Sequence, residues 1–108
     1  MEKIYNKLVR DGIPEIIKSN GGQPFCHELS DREFEEALND KLFEELKEVC
    51  EATGRDRLEE LADIYELIRT IAELHDSSME NIARLANKKK KERGAFEKKI
   101  FLEKVIEE

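Results

Sequence analysis

Four carboxylates at matched spacing are the residues of this sequence best suited to chemistry. Glu45 and Glu48 lie three apart, as do Glu60 and Asp63, and both pairs fall in KLFEELKEVCEATGRDRLEELADIYEL, residues 41–67, with a turn signal at Thr53-Gly54 between them. At about 100° per residue, Phe34, Leu38, Leu42, Leu46 and Val49 form one apolar stripe. Glu45 falls inside it and Glu48 at its edge. Leu61, Ile64, Tyr65, Leu67, Ile68, Ile71 and Ala72 form a second stripe, with Glu60 inside it and Asp63 flanking. Glu44, Glu51, Glu59, Glu66 and Glu73 project mostly to the other side.

A carboxylate in an apolar stripe needs a partner or shifts its pKa until it is neutral. Two helices joined by a short turn pack antiparallel, so the four acids converge. Few Lys or Arg fall inside the stripes, which makes a metal the expected counterion. All-oxygen ligands favour a hard ion, Mg²⁺ or Mn²⁺. Such an ion neutralises charge on phosphate oxygens and lowers the pKa of a bound water, so phosphoryl chemistry is the natural use. One of the acids can then act as general base for that water.

The elements that position these acids are legible in turn signals. Pro14 suits the first turn of a short helix over roughly 14–19, which Asn20-Gly21-Gly22 stops. Ser30-Asp31-Arg32-Glu33 is a capping box that starts a long helix near residue 31 and carries it to about Ala52, with Gly54 as its end. Asp56 is the expected cap of a second long helix that runs to about His75. Ser77-Ser78-Met79-Glu80 opens a third, with Met79, Ile82, Ala83, Leu85 and Ala86 on its apolar face. The segments at about 23–29 and 98–105 read as a possible two-stranded ribbon. The expected architecture is therefore all-α, a single domain over residues 1–108, with that ribbon as its one β feature.

Composition narrows the function. The 108 residues carry a formal net charge of −7 and 42% charged side chains, with no Trp. That balance disfavours nucleic acid and anionic membranes as partners, yet admits an anionic substrate if a metal supplies positive charge. Thin apolar stripes predict a core completed by oligomerisation, as a dimer or a tetramer. Cys26 and Cys50 form no CxxC pair and read as reduced, partly buried thiols of a cytoplasmic protein; no signal peptide or membrane span is visible. His27 and His75 do not lie three residues after a Glu, which argues against a Glu-x-x-His di-iron bundle. There is no Walker A loop, GxGxxG, EF-hand loop or nucleophile elbow. Two cationic groups remain: Lys7 and Arg10 beside the Asp11-Gly12 turn, and the run Lys88 to Arg93 ahead of Gly94. Either is a solvated surface or a phosphate contact.

The spacing Glu45-x-x-Glu48 followed by Glu60-x-x-Asp63 resembles the signature of the all-α nucleoside triphosphate pyrophosphatase superfamily, which includes the MazG-like enzymes, dimeric dUTPases and phosphoribosyl-ATP pyrophosphohydrolase. YNKLVRDGIPEII near the start and KKERGAFEKKIFL near the end are similar to a small MazG-like branch labelled phosphoribosyl-ATP pyrophosphohydrolase-like. The likeness spans essentially the whole chain. It implies a helical oligomer that holds Mg²⁺ through Glu45, Glu48, Glu60 and Asp63. The implied reaction cleaves a nucleotide between its α- and β-phosphates, giving a monophosphate and pyrophosphate, in clearance of noncanonical nucleotides. Lys7 and Arg10 fall in the branch's N-terminal motif, and Lys91 and Arg93 in its C-terminal one; the resemblance assigns these four to substrate phosphates. Gly12 stands where that branch commonly has Lys, and Ala95 where it commonly has a second Gly, which bears on substrate choice more than on the acids. Hydrolysis of phosphoribosyl-ATP in histidine biosynthesis and a non-catalytic helical interaction module are the competing readings.

Overall fold

The computed structural model describes residues 1–107, and the secondary structure among them is four helices: α1 (Ile13–Ser19), α2 (Asp31–Glu51), α3 (Gly54–Leu74) and α4 (Met79–Arg93). The chain divides into two compact units, Met1–Ile71 and Ala72–Glu108.

In the first unit, α1 begins with Pro near its N-terminus and ends on a Schellman motif. The Gly22 N–H donates to the Ile17 carbonyl at 2.9 Å and the Gly21 N–H to that of Lys18 at 3.0 Å. Gly21 takes the positive φ, +86°, that this closure requires. α2 starts at the expected capping box: Ser30 Oγ accepts from the Glu33 N–H at 3.3 Å, and Glu33 Oε1 accepts from the Ser30 N–H at 3.1 Å. Those bonds from Ser30 hold the Glu33 carboxyl below its ordinary pKa.

Helix α3 begins three residues earlier than the Asp56 cap implies. Ala52 is extended, Thr53 follows, and Gly54 is already the first residue of α3. Gly54 has φ +56°, so the chain reverses there without a Cβ clash. Asp56 sits in the first turn instead, where its charge still suits the helix dipole. A two-residue link makes α2 and α3 antiparallel neighbours. The α2 residues turned inward are Leu38, Glu45 and Val49, seven and then four apart, as one helix face requires. With Leu67 of α3, 9% exposed, Leu38 at 2% and Val49 at 8% make up the buried apolar core of this unit among the described residues.

The second unit opens with the end of α3 at Ala72, which is buried. Ser78 caps α4, its Oγ accepting from the Asn81 N–H at 3.2 Å. Because the third helical residue is Asn81, this is a single cap and not a full box; the Asn81 side chain bonds Ser77 Oγ at 2.8 Å. Lys90, Lys91 and Arg93 occupy the last turn, a placement the helix dipole favours.

Two expectations are corrected. Among the described residues neither 23–29 nor 98–105 is a strand. Phe25, Ile100, Phe101 and Leu102 are all exposed there, and a lone two-stranded ribbon with no apolar face to pack against is marginal in water. Cys26 and Cys50 are exposed free thiols, not partly buried ones. No helix among the described residues is long and apolar enough to cross a membrane.

Candidate functional site

Antiparallel packing sets the two acidic pairs against each other. Glu45 on α2 meets Glu60 and Asp63 on α3, each offering one carboxylate oxygen such that all three lie within 4.8 Å of one another. Glu45 is 6% exposed, the buried charged residue of the unit. Glu60 and Asp63 are half-buried. Glu48, also half-buried, stands one turn further along α2 and acts directly on Glu60.

The cluster carries more negative charge than its surroundings balance. Glu45 Oε2 and Glu60 Oε2 are buried and, among the described residues, have no hydrogen-bond partner. Buried polar atoms left this way are rare in folded proteins. The same crowding raises the carboxyl pKa values. Glu60 is pushed up to about 7, first by a hydrogen bond shared with Glu48, then by desolvation and the charge of Glu48. Without a cation, Glu60 therefore holds its proton well above the usual carboxylate range. Desolvation raises Glu45 as well, reinforced by Glu48 and Asp63 and opposed by Lys41.

Two cations reach the cluster from outside. Lys41, one turn before Glu45, places Nζ 3.4 Å from Glu45 Oε1 and 3.3 Å from Glu44 Oε2, with its own side chain 18% exposed. Arg10 donates from Nη2 to Asp63 Oδ1 at 2.7 Å. Lys7, three residues before it, pairs with Glu44 at 3.4 Å. Each cation binds an oxygen at the margin, and the Oε2 atoms of Glu45 and Glu60 stay without one. Together Lys7 and Arg10 tie the N-terminal arm to both helices.

Beyond Glu48 and Glu60 the site opens into a pocket of about 330 Å³ at the turn end of the hairpin, lined by Glu48, Glu51, Ala52, Asp56, Glu59 and Glu60. Five of its six walls are acidic, so an anion enters only with a cation. The donor set fits a hard divalent ion: all oxygen, three ligands converging, and two buried oxygens in want of a positive partner.

Of the residues singled out in the sequence, the structure brings together Glu45, Glu48, Glu60, Asp63 and Arg10, with Lys7 one ion pair away. Lys91 and Arg93 belong to the second unit, exposed on the last turn of α4. Lys91 lines an open groove of about 690 Å³ with Glu80, Ala83, Arg84, Asn87 and Lys88. Sequence reasoning missed Lys41, although its spacing four residues before Glu45 was a readable signal for an ion pair. It also placed Glu44 on the far side, whereas Glu44 bridges Lys7 and Lys41.

No family model matches the chain, and no solved structure matches it. The chain is 48% identical over 50 residues to a Mycolicibacterium smegmatis protein described as uncharacterized; the match covers 46% of this chain and 51% of that protein. It therefore spans about half the length of that relative.

Proposed function

We propose that the chain is a Mg²⁺- or Mn²⁺-dependent nucleotide pyrophosphohydrolase that cleaves between the α- and β-phosphates of a nucleoside triphosphate. The observation that carries this reading is the pair of buried, partnerless oxygens, Glu45 Oε2 and Glu60 Oε2, set among three convergent carboxylates. A purely structural helix pair has no use for such a cluster, which burdens the fold through repulsion and desolvation.

Glu45, Glu60 and Asp63 would hold the ion, with Glu48 beside them. When bound, it supplies positive charge to the phosphates and a water of lowered pKa. The chain's own residues do the rest. Lys41 pins Glu45 Oε1 and leaves Oε2 without a hydrogen-bond partner. An acid of the cluster not spent on the ion can take a proton from the attacking water. Lys7 and Arg10 on the arm are the cations of this unit able to turn to the polyphosphate.

Oligomerisation completes the reading. Along the hairpin, Phe43 is 73% and Tyr65 58% exposed, and Leu46, Leu58 and Leu61 are exposed with them. Apolar surface of that extent marks an interaction face, and a second copy, as a dimer or within a tetramer, is the partner that covers it. Two exposed free thiols suit a reducing compartment, the cytoplasm.

Pyrophosphate release from canonical and modified nucleoside triphosphates and from phosphoribosyl-ATP, in Mg²⁺ and in EDTA, tests the proposal. Release is expected from one substrate class, in Mg²⁺ alone, and is abolished by Glu45→Gln and by Asp63→Asn. Turnover that survives both substitutions refutes the site.

A further inference from the structure

Arg10 and a divalent ion compete for the same carboxylate. The guanidinium donates to Asp63 Oδ1 at 2.7 Å, while Asp63 is one of the three acids that converge within 4.8 Å. The backbone of Arg10 is fixed at the start of α1, its carbonyl accepting from the Ile13 N–H at 3.0 Å. Its side chain is 58% exposed, so it can swing while the arm stays in place. A second carboxylate lies within its reach of influence. Glu66, on α3 three residues beyond Asp63, is held below its ordinary pKa chiefly by Arg69, with a further contribution from Arg10.

Lys41 differs on each of these points. It is 18% exposed, is held by two carboxylates at once, and touches the oxygen of Glu45 opposite the partnerless one. Lys7 reaches Glu44, which is not among the three convergent acids. Arg10 is thus the cation whose pairing directly opposes loading of the site.

We propose that Arg10 is a displaceable counterion. In the metal-free protein it neutralises Asp63; when a divalent ion takes Asp63, the guanidinium is released towards the anion bound beside that ion. This rests on the metal-centre reading above and adds a coupling to it. The ion frees Arg10 for the anion, and an anion that engages Arg10 keeps it off Asp63, so each tightens the other by the same factor.

The test is a Mn²⁺ titration of the full chain without nucleotide, free Mn²⁺ being followed by electron paramagnetic resonance, for wild type, Arg10→Ala and Arg10→Lys. Removing a competitor of exposed ion-pair strength makes Arg10→Ala bind Mn²⁺ about two- to five-fold tighter, with Arg10→Lys between it and wild type. Inorganic pyrophosphate binding to the Mg²⁺-saturated protein, read by calorimetry, weakens in Arg10→Ala. The two affinities therefore move in opposite directions. Unchanged Mn²⁺ affinity reduces Arg10 to a simple phosphate contact and overturns the exchange; weaker Mn²⁺ affinity with a lowered Tm makes it structural and does the same. A wild-type protein that binds no Mn²⁺ overturns the metal centre, and the exchange with it.

Discussion

Glu45→Gln separates two consequences of the acid cluster, its burden on the fold and its hold on a cation, because the substitution moves them in opposite directions. The Glu45 oxygen lies within 4.8 Å of those of Glu60 and Asp63. Two unit charges at that separation repel by about 3.5 kcal/mol at an effective dielectric of about 20, and by about 0.9 kcal/mol in bulk water. The cluster borders an open pocket, so the relief from neutralising Glu45 lies between those limits. Set against it is the weakened contact with Lys41, worth about 1 kcal/mol or less. Lys41 keeps Glu44 at 3.3 Å, and the Gln carbonyl still accepts from it. The net expectation is a metal-free protein about 1 kcal/mol more stable, a rise in Tm of about 4–8 °C for a chain of this size. Saturating metal reverses the order. At a hundred times its Kd an ion stabilises the wild type by about 2.7 kcal/mol, and the variant gains nothing. Scanning calorimetry at mildly alkaline pH, in EDTA and in Mn²⁺, reads both effects. A variant that melts below wild type in EDTA yet still rises with Mn²⁺ refutes the reasoning.

Three further predictions follow from other parts of the molecule. Glu60 has a folded-state pKa of about 7 against an ordinary 4.5, so the folded chain binds the extra proton between those values; its contribution to metal-free stability is full below about 4.5 and is lost as pH rises through about 7. Melts across that range should show the decline in EDTA and a Mn²⁺-induced shift that grows with pH, and a flat profile in both would count against the raised Glu60 carboxyl. Ser30→Ala removes the hydroxyl of the α2 capping box and should cost about 1 kcal/mol, read as a lower midpoint in urea with unchanged slope; an unchanged midpoint would mean the box contributes nothing. Tyr65→Glu places a charge on the exposed hairpin face and should shift light-scattering mass towards monomer, whereas an unaltered mass would put the interface elsewhere.

The hairpin was legible because periodicity survives in three dimensions. Leu38, Glu45 and Val49 share a face by spacing alone, and that face is the buried one. The α2 cap was equally plain, since Ser and Glu three apart are the two halves of a local hydrogen-bonded unit. The ribbon failed for the complementary reason. Phe25 and Ile100 to Leu102 announce apolar side chains, but strand pairing is non-local, and nothing in a short pattern says whether a partner exists. Asp56 looked like a cap because caps are read from side chains, whereas the turn was decided by the backbone of Gly54. The Arg10–Asp63 pair spans 53 residues and leaves no periodic trace. Its consequence is that part of the charge left over after reading α2 and α3 alone is met by the arm, and only the remainder calls for a metal.

Phosphorus NMR of the products formed from a nucleoside triphosphate in Mg²⁺, by the wild type and by Asp63→Asn, tests the proposed reaction. Nucleoside monophosphate and pyrophosphate are expected in equal amounts from the wild type and none from the variant. Diphosphate with inorganic phosphate, or equal turnover by both proteins, would contradict it.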